Sequence, residues 1–178
     1  MIHESIKEHE IYRGRAFTVR QDTVRLPNGR ETNLDIVVHV GSVVILPVDE
    51  QGRIIFVKQY RYAIGMDILE LPAGTLNKGE PPFECARREL REETGMAAGN
   101  FVELGAFFLA PGYSSEYMHV YYADGLYSSP LDADADEFLS TEAVPVHQAL
   151  QMGENGLLPD AKSLTALLMA RKQLEKWL

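Results

Sequence analysis

Two prolines, Pro81 and Pro82, and a glycine, Gly95, bracket a stretch that reads as one short helix, with extended segments on both sides. Proline suits the first helical turn, where its missing N–H would have had no partner. Glycine just past the end suits the left-handed residue that closes a helix. The predicted helix runs from about 82 to 94, with Phe83, Ala86, Leu90 and Thr94 as its buried stripe. Before it, residues 17–26 and 31–39 flank Pro27-Asn28-Gly29, and Asn-Gly between such runs signals a hairpin. Residues 43–48 and 54–59 form a second strand pair, and 68–71 lead into a Pro72-Ala73-Gly74 turn. Strands are expected again at 101–109 and 117–122. Helices are expected at 146–152 and, capped by Asp160, on to about 176, with Leu164, Leu167, Leu168, Leu174 and Trp177 facing inward. Strands interrupted by one helix and closed by others predict a mixed α/β architecture.

The helix is chemically odd. Glu89 and Glu93 stand one turn apart on the same side, and Glu92 sits beside them. Like charges at that spacing destabilise an isolated helix by about 0.2–0.5 kcal/mol per pair. A hard divalent cation held between carboxylate oxygens would reverse that sign. Arg88 lies four residues from both Glu84 and Glu92, so it is expected to orient the acidic groups. A salt-bridged surface helix is the bland alternative.

The net charge of −9 argues against nucleic acid as the main partner, since phosphate backbones favour basic surfaces. Cys85 is the only cysteine, which removes intramolecular disulfides and cysteine zinc clusters. The first residues lack the apolar core of a signal peptide, and the apolar runs are too short to span a bilayer. A reduced, cytoplasmic setting without membrane attachment is the expectation. The five histidines show no paired ligand spacing, and no covalent-nucleophile or dinucleotide-binding glycine motif is present.

The run Gly74, five residues, Glu80, seven residues, then Arg88-Glu89-Leu90-Arg91-Glu92-Glu93-Thr94-Gly95-Met96 resembles the Nudix box at every fixed position. Met96 stands where that family more often has Ile, Leu or Val. The resemblance implies a Nudix fold of class α/β, a mixed β-sheet sandwiched between α-helices, with an N-terminal antiparallel β-hairpin extension. Residues 1–40 would be that extension and would build a homodimer; residues 41–178 would be the hydrolase domain. It also implies that Glu89 and Glu93 are the main metal ligands, that Glu92 is an additional or water-mediated one, and that the Ala73 carbonyl coordinates too. Glu92 and Glu93 thereby count among the catalytic groups. Mg²⁺ is the expected ion and Mn²⁺ the alternative. Gly74 would let the loop bend close to the metal through a positive φ.

Two further segments resemble the ADP-ribose pyrophosphatase branch. Pro111 lies sixteen residues after Gly95, within Ala110-Pro111-Gly112-Tyr113-Ser114-Ser115-Glu116. By resemblance, Pro111 and Gly112 border the terminal ribose and Glu116 lines the site. Gln59-Tyr60-Arg61-Tyr62 resembles the signature whose arginine meets the nucleotide end, and a guanidinium can fork to phosphate or stack on a base. The acidic run 132–137 resembles the loop that brings a carboxylate to the metals, with Glu137 as the expected water-activating group and Asp136 and Asp134 as alternatives. Some relatives carry a second glutamate where Ala135 stands. The implied reaction is hydrolysis of a nucleoside diphosphate sugar, foremost ADP-ribose to AMP and ribose 5-phosphate. Alternatives are another sugar nucleotide, such as GDP-mannose or ADP-glucose, or a catalytically silent Nudix module that senses a ligand.

Overall fold

The computed structural model describes residues 2–132 and 138–178. In chain order its elements are β1 (Glu4–Arg13), β2 (Phe17–Arg25), β3 (Glu31–His39), β4 (Ser42–Pro47), β5 (Arg53–Arg61), β6 (Met66–Glu70) and β7 (Ala73–Thr75). There follow α1 (Pro82–Thr94), β8 (Met96–Phe108), β9 (Tyr117–Ser128), β10 (Leu139–Pro145), α2 (Val146–Glu154), α3 (Ala161–Met169), α4 (Arg171–Leu174) and a final 3₁₀ turn, Glu175–Trp177. Contacts divide the chain into two compact units, Met1–Gly41 with Phe107–Met118, and Ser42–Ala106 with His119–Leu178.

The first unit is built on the antiparallel sheet β1-β2-β3. The Asn-Gly hairpin forms as expected: β2 and β3 pair from Phe17↔His39 to Arg25↔Glu31, and Gly29 takes a φ of 84°. β1 adds a third strand to the two-stranded hairpin expected within residues 1–40. Every one of its residues is exposed, so no apolar alternation marks it; backbone pairing to β2 and cross-strand ion pairs such as Arg25 to Glu4 at 2.8 Å hold it. In the same unit the segment after β8 joins β3: Val37 donates its N–H to the Tyr113 carbonyl at 2.8 Å, and His39 donates to Ser115 Oγ at 2.9 Å.

The second unit carries two sheets, ordered β10-β5-β6 and β7-β4-β9-β8. β4 is buried along its whole length, which is why Val43–Leu46 read as a continuous apolar run rather than an alternation. Val43 and Ile45 pack with Cys85, Ala86 and Leu90 of α1 and with Tyr121 and Ala123 of β9. Alternation turns Val44 and Leu46 to the opposite face, and α3 also packs on β4. β7 and β10 were missed: the first is three residues long inside an expected turn, the second lies just beyond the acidic run.

α1 has the predicted limits. Gly95 takes a φ of 70° and donates its N–H to the Arg91 carbonyl at 3.0 Å. Its buried face differs from the expected stripe: it consists of Cys85, Ala86, Glu89, Leu90 and Glu93, while Phe83 is partly exposed and packs edge-on against Phe101 at 5.6 Å. The C-terminal helix breaks at Ala170, and its buried positions are Lys162, Ser163, Ala166, Leu167 and Leu174 rather than Leu164 and Leu168, which are exposed. Among the described residues no helix is long and apolar enough to cross a membrane.

Candidate active site

The carboxylates expected to work together belong to the face that α1 turns toward the sheet. Glu89 is 7% exposed and Glu93 4%, values that charged side chains reach only when paired. Glu93 Oε2 accepts the backbone N–H of Ala73 at 3.0 Å, which ties the helix to β7. The Glu89 carboxyl group lies against Gly74: a Cβ built there would fall 1.9 Å from its carbon. Gly74 is therefore needed for its missing side chain. The positive φ expected of it is not found, since residue 74 is absent from the glycines in that region.

Arg88 organises the cluster. Its Nε and Nη2 donate to the two oxygens of Glu80 at 2.9 and 3.0 Å, and Nη1 donates to Glu89 Oε1 at 2.6 Å and Glu92 Oε2 at 2.7 Å. The expected Arg88–Glu92 pair is present; the expected Arg88–Glu84 pair is not, because Glu84 pairs with Arg87 at 3.5 Å. Sequence spacing could not reveal that the loop residue Glu80 captures the guanidinium by a fork. Hydrogen bonds from Arg88 outweigh the cost of burial and, with the Asn77 N–H, bring the Glu80 pKa down to about 2. The same bond to Glu80 raises that of Arg88. Burial pushes the Cys85 thiol up, so it is a neutral space-filler on this face.

The arrangement suits hard divalent cations. Its donors are all oxygens, two carboxylates are drawn out of bulk water, and the glycine leaves room for one of them against the loop. Among the described residues no three His, Cys, Asp or Glu side chains form a metal cage as they stand. Arg88 gathers Glu89 and Glu92, while the Ala73 amide holds Glu93.

Arg61, the expected substrate contact, ends β5 and forks Nε and Nη2 onto Glu70 at 2.6 and 2.8 Å. That edge is therefore not free to fork a phosphate; the outer edge of a side chain 43% exposed remains. Glu70 is 1% exposed and also accepts from Lys162 Nζ, which in turn donates to Asp160 Oδ1 at 2.9 Å. Burial would raise the Glu70 pKa, but Arg61 and Lys162 together bring it below the usual carboxylate range. Removing one partner of a buried pair of this kind costs about 3–5 kcal/mol. Sequence reading did not single out Glu70 or Lys162. They lie 92 positions apart, and nothing in their neighbourhoods marks the pair.

Pro111, Gly112 and Glu116 lie in the other compact unit, on the segment that joins β3 through Tyr113 and Ser115. Glu137, with Asp134 and Asp136, lies outside the described residues.

Comparison with known proteins agrees with these features. A NUDIX domain model matches residues 38–167, and a nucleoside diphosphate sugar hydrolase N-terminal domain model matches residues 4–33. The ADP-ribose pyrophosphatase of Bacillus subtilis is 37% identical over 166 residues, which cover 92% of this chain and 90% of that protein. The methanol dehydrogenase activator of Bacillus methanolicus is 36% identical over the same shares of each chain. Among solved structures, an ADP compounds hydrolase superposes with a TM-score of 0.87 at 25% identity, covering 99% of this chain and 96% of the other.

Proposed function

Because the chain belongs to the Nudix family, we infer that it is a pyrophosphohydrolase that cleaves the diphosphate of nucleoside diphosphate sugars. ADP-ribose, split to AMP and ribose 5-phosphate, is the proposed substrate. The observation that carries this reading is the pair of buried carboxylates, Glu89 and Glu93, held one helical turn apart against Gly74 and Ala73. Like charges at this spacing repel each other, and a divalent cation held between them would reverse the sign.

Glu89 and Glu93, with the Ala73 carbonyl and with Glu92 in a secondary role, would hold Mg²⁺, for which Mn²⁺ could substitute. When bound, such ions supply positive charge to the diphosphate oxygens and make the attacking water more acidic. The protein's own contribution is orientation. Arg88 fixes the rotamers of Glu89 and Glu92, and the Ala73 N–H fixes Glu93. Arg61 places a cation at the rim for the substrate's phosphates, and Glu137 accepts the proton of the water that attacks phosphorus. Pro111, Gly112 and Glu116 would border the sugar end. Residues 1–40 are proposed to pair two copies of the chain into a homodimer, and a cytoplasmic setting is proposed for it.

The relative named as a methanol dehydrogenase activator supports a second reading, in which a protein of this fold acts on a partner. The intact Glu89/Glu92/Glu93 set favours hydrolysis, since a purely regulatory module could lose those charges. The test is AMP or phosphate-ester release with Mg²⁺ across a panel of nucleotide sugars. Turnover of ADP-ribose above the others is expected; no turnover on any member would favour the regulatory reading.

A further inference from the structure

Beneath Arg61 lies a chain of alternating charge that the proposed reaction does not by itself require. Arg61 forks to Glu70, Glu70 accepts from Lys162, and Lys162 donates to Asp160. Asp160 Oδ2 accepts the Ser163 N–H at 3.0 Å and the Ser163 hydroxyl, whose oxygen accepts the Leu71 N–H at 2.7 Å. The chain thus begins at a half-exposed guanidinium and ends on the backbone of residue 71, two positions before Ala73. The N-terminal turn of α3 grips both the strand carrying Glu70 and the segment leading to the carboxylate-bearing loop.

The burial is costly. Lys162 is 9% exposed and Glu70 1%, so each charge is drawn out of water and depends on its partner. If Glu70 had only to be neutralised, the Arg61 fork would suffice. The second cation fixes the direction from which Glu70 receives Arg61. Three donors meet two carboxylate oxygens, Oε1 accepting from Arg61 and Oε2 from both Arg61 and Lys162. The charges of Glu93 and Asp160 also act on the Arg61 guanidinium. Arg61 ends β5 with the outer edge of its guanidinium still open to solvent, available to an anionic ligand.

We propose that Lys162 is a positioning residue: acting through Glu70, it aims the outer edge of the Arg61 guanidinium at the phosphates of a diphosphate substrate. The proposal rests on the hydrolase reading above and deepens it. Lys162 does not touch substrate, so its effect passes through Arg61 and vanishes when Arg61 is gone.

That dependence gives the test, a double-mutant cycle in the full-length protein with ADP-ribose and Mg²⁺. Lys162→Met should raise KM about tenfold and change kcat much less, and Arg61→Ala should raise KM by at least as much. Lys162→Met placed on Arg61→Ala should add nothing to KM. The thermal midpoint falls on either account, since a buried charge loses its partner; a structural role alone would give additive KM effects, and these would overturn the proposal. Lys162→Gln, which keeps a donor toward Glu70, takes the place of Lys162→Met should that variant fail to fold, with the same non-additivity expected. If the wild-type protein turns over no nucleotide sugar, the hydrolase reading falls and the positioning role with it. Turnover with additive KM effects removes only the role of Lys162.

Discussion

Glu89 lies so close to Gly74 that any side chain at position 74 must displace its carboxylate, with a built Cβ only 1.9 Å from the carboxyl carbon and from Oε1. Gly74 is outside the left-handed backbone region, so alanine is tolerated by the main chain. Gly74→Ala should therefore fold, because the obstructing atoms are the far end of a flexible side chain. The thermal midpoint should stay within about 2–4 °C of wild type, the shift expected for 1 kcal/mol in a chain of this size. Turnover should fall on the order of 10², as when one preorganised group is withdrawn from a site. Calorimetry together with a hydrolysis assay reads both; unchanged turnover would mean that Glu89 need not rest where it does.

The fork between Glu80 and Arg88 should appear in the acid limb of stability. The Glu80 pKa is lowered from 4.5 to about 2 in the folded chain, so the carboxylate binds its proton more readily when unfolded. Its contribution to stability is complete above pH 4.5 and is lost as pH falls toward 2. Urea midpoints measured through that window should fall less steeply for Glu80→Gln than for wild type. Parallel curves would show that the fork does not hold in solution.

Glu137→Gln should lower kcat by about 10²–10⁴, the usual worth of general-base assistance, while changing KM far less. Steady-state kinetics on ADP-ribose decide it. A normal kcat would move the base to Asp136, Asp134 or another group.

The surface of the β1-β2-β3 sheet leaves Ile6, Ile11, Tyr12 and Phe17 exposed in the single chain. Covering them in a homodimer predicts that deletion of residues 1–40 turns a dimer into a monomer in sedimentation. A deletion variant that keeps the wild-type number of chains per particle would refute assembly through this segment.

What could be read from the sequence is whatever local chemistry dictates. The prolines and Gly95 gave α1 its limits, Asn28-Gly29 gave the β2–β3 hairpin, and Asp160 capped α3 by accepting the Ser163 N–H. Long-range pairing hid the rest. β1 has no buried residue to betray it, and its strand character comes from β2. The stripe of α1 was misjudged because Glu89 and Glu93 were left out of it, whereas Gly74 and the Ala73 N–H give them partners on the inner face. Arg88 was drawn from Glu84 to Glu80 for a similar reason: a fork across a loop outcompetes a single exposed contact one turn away. The Glu70–Lys162 pair needed the folded chain, since a buried lysine and a surface lysine look alike in a sequence.

The central claim is that Glu89 and Glu93 jointly hold the divalent ions that pull a phosphoanhydride apart. Anomalous scattering from crystals soaked with Mn²⁺ and a non-hydrolysable ADP-ribose analogue tests it directly. The account predicts metal peaks against both carboxylates in the wild-type protein, and the loss of at least one peak in Glu93→Gln under the same soak. No metal at these side chains, or an unchanged set of peaks in the variant, would contradict it.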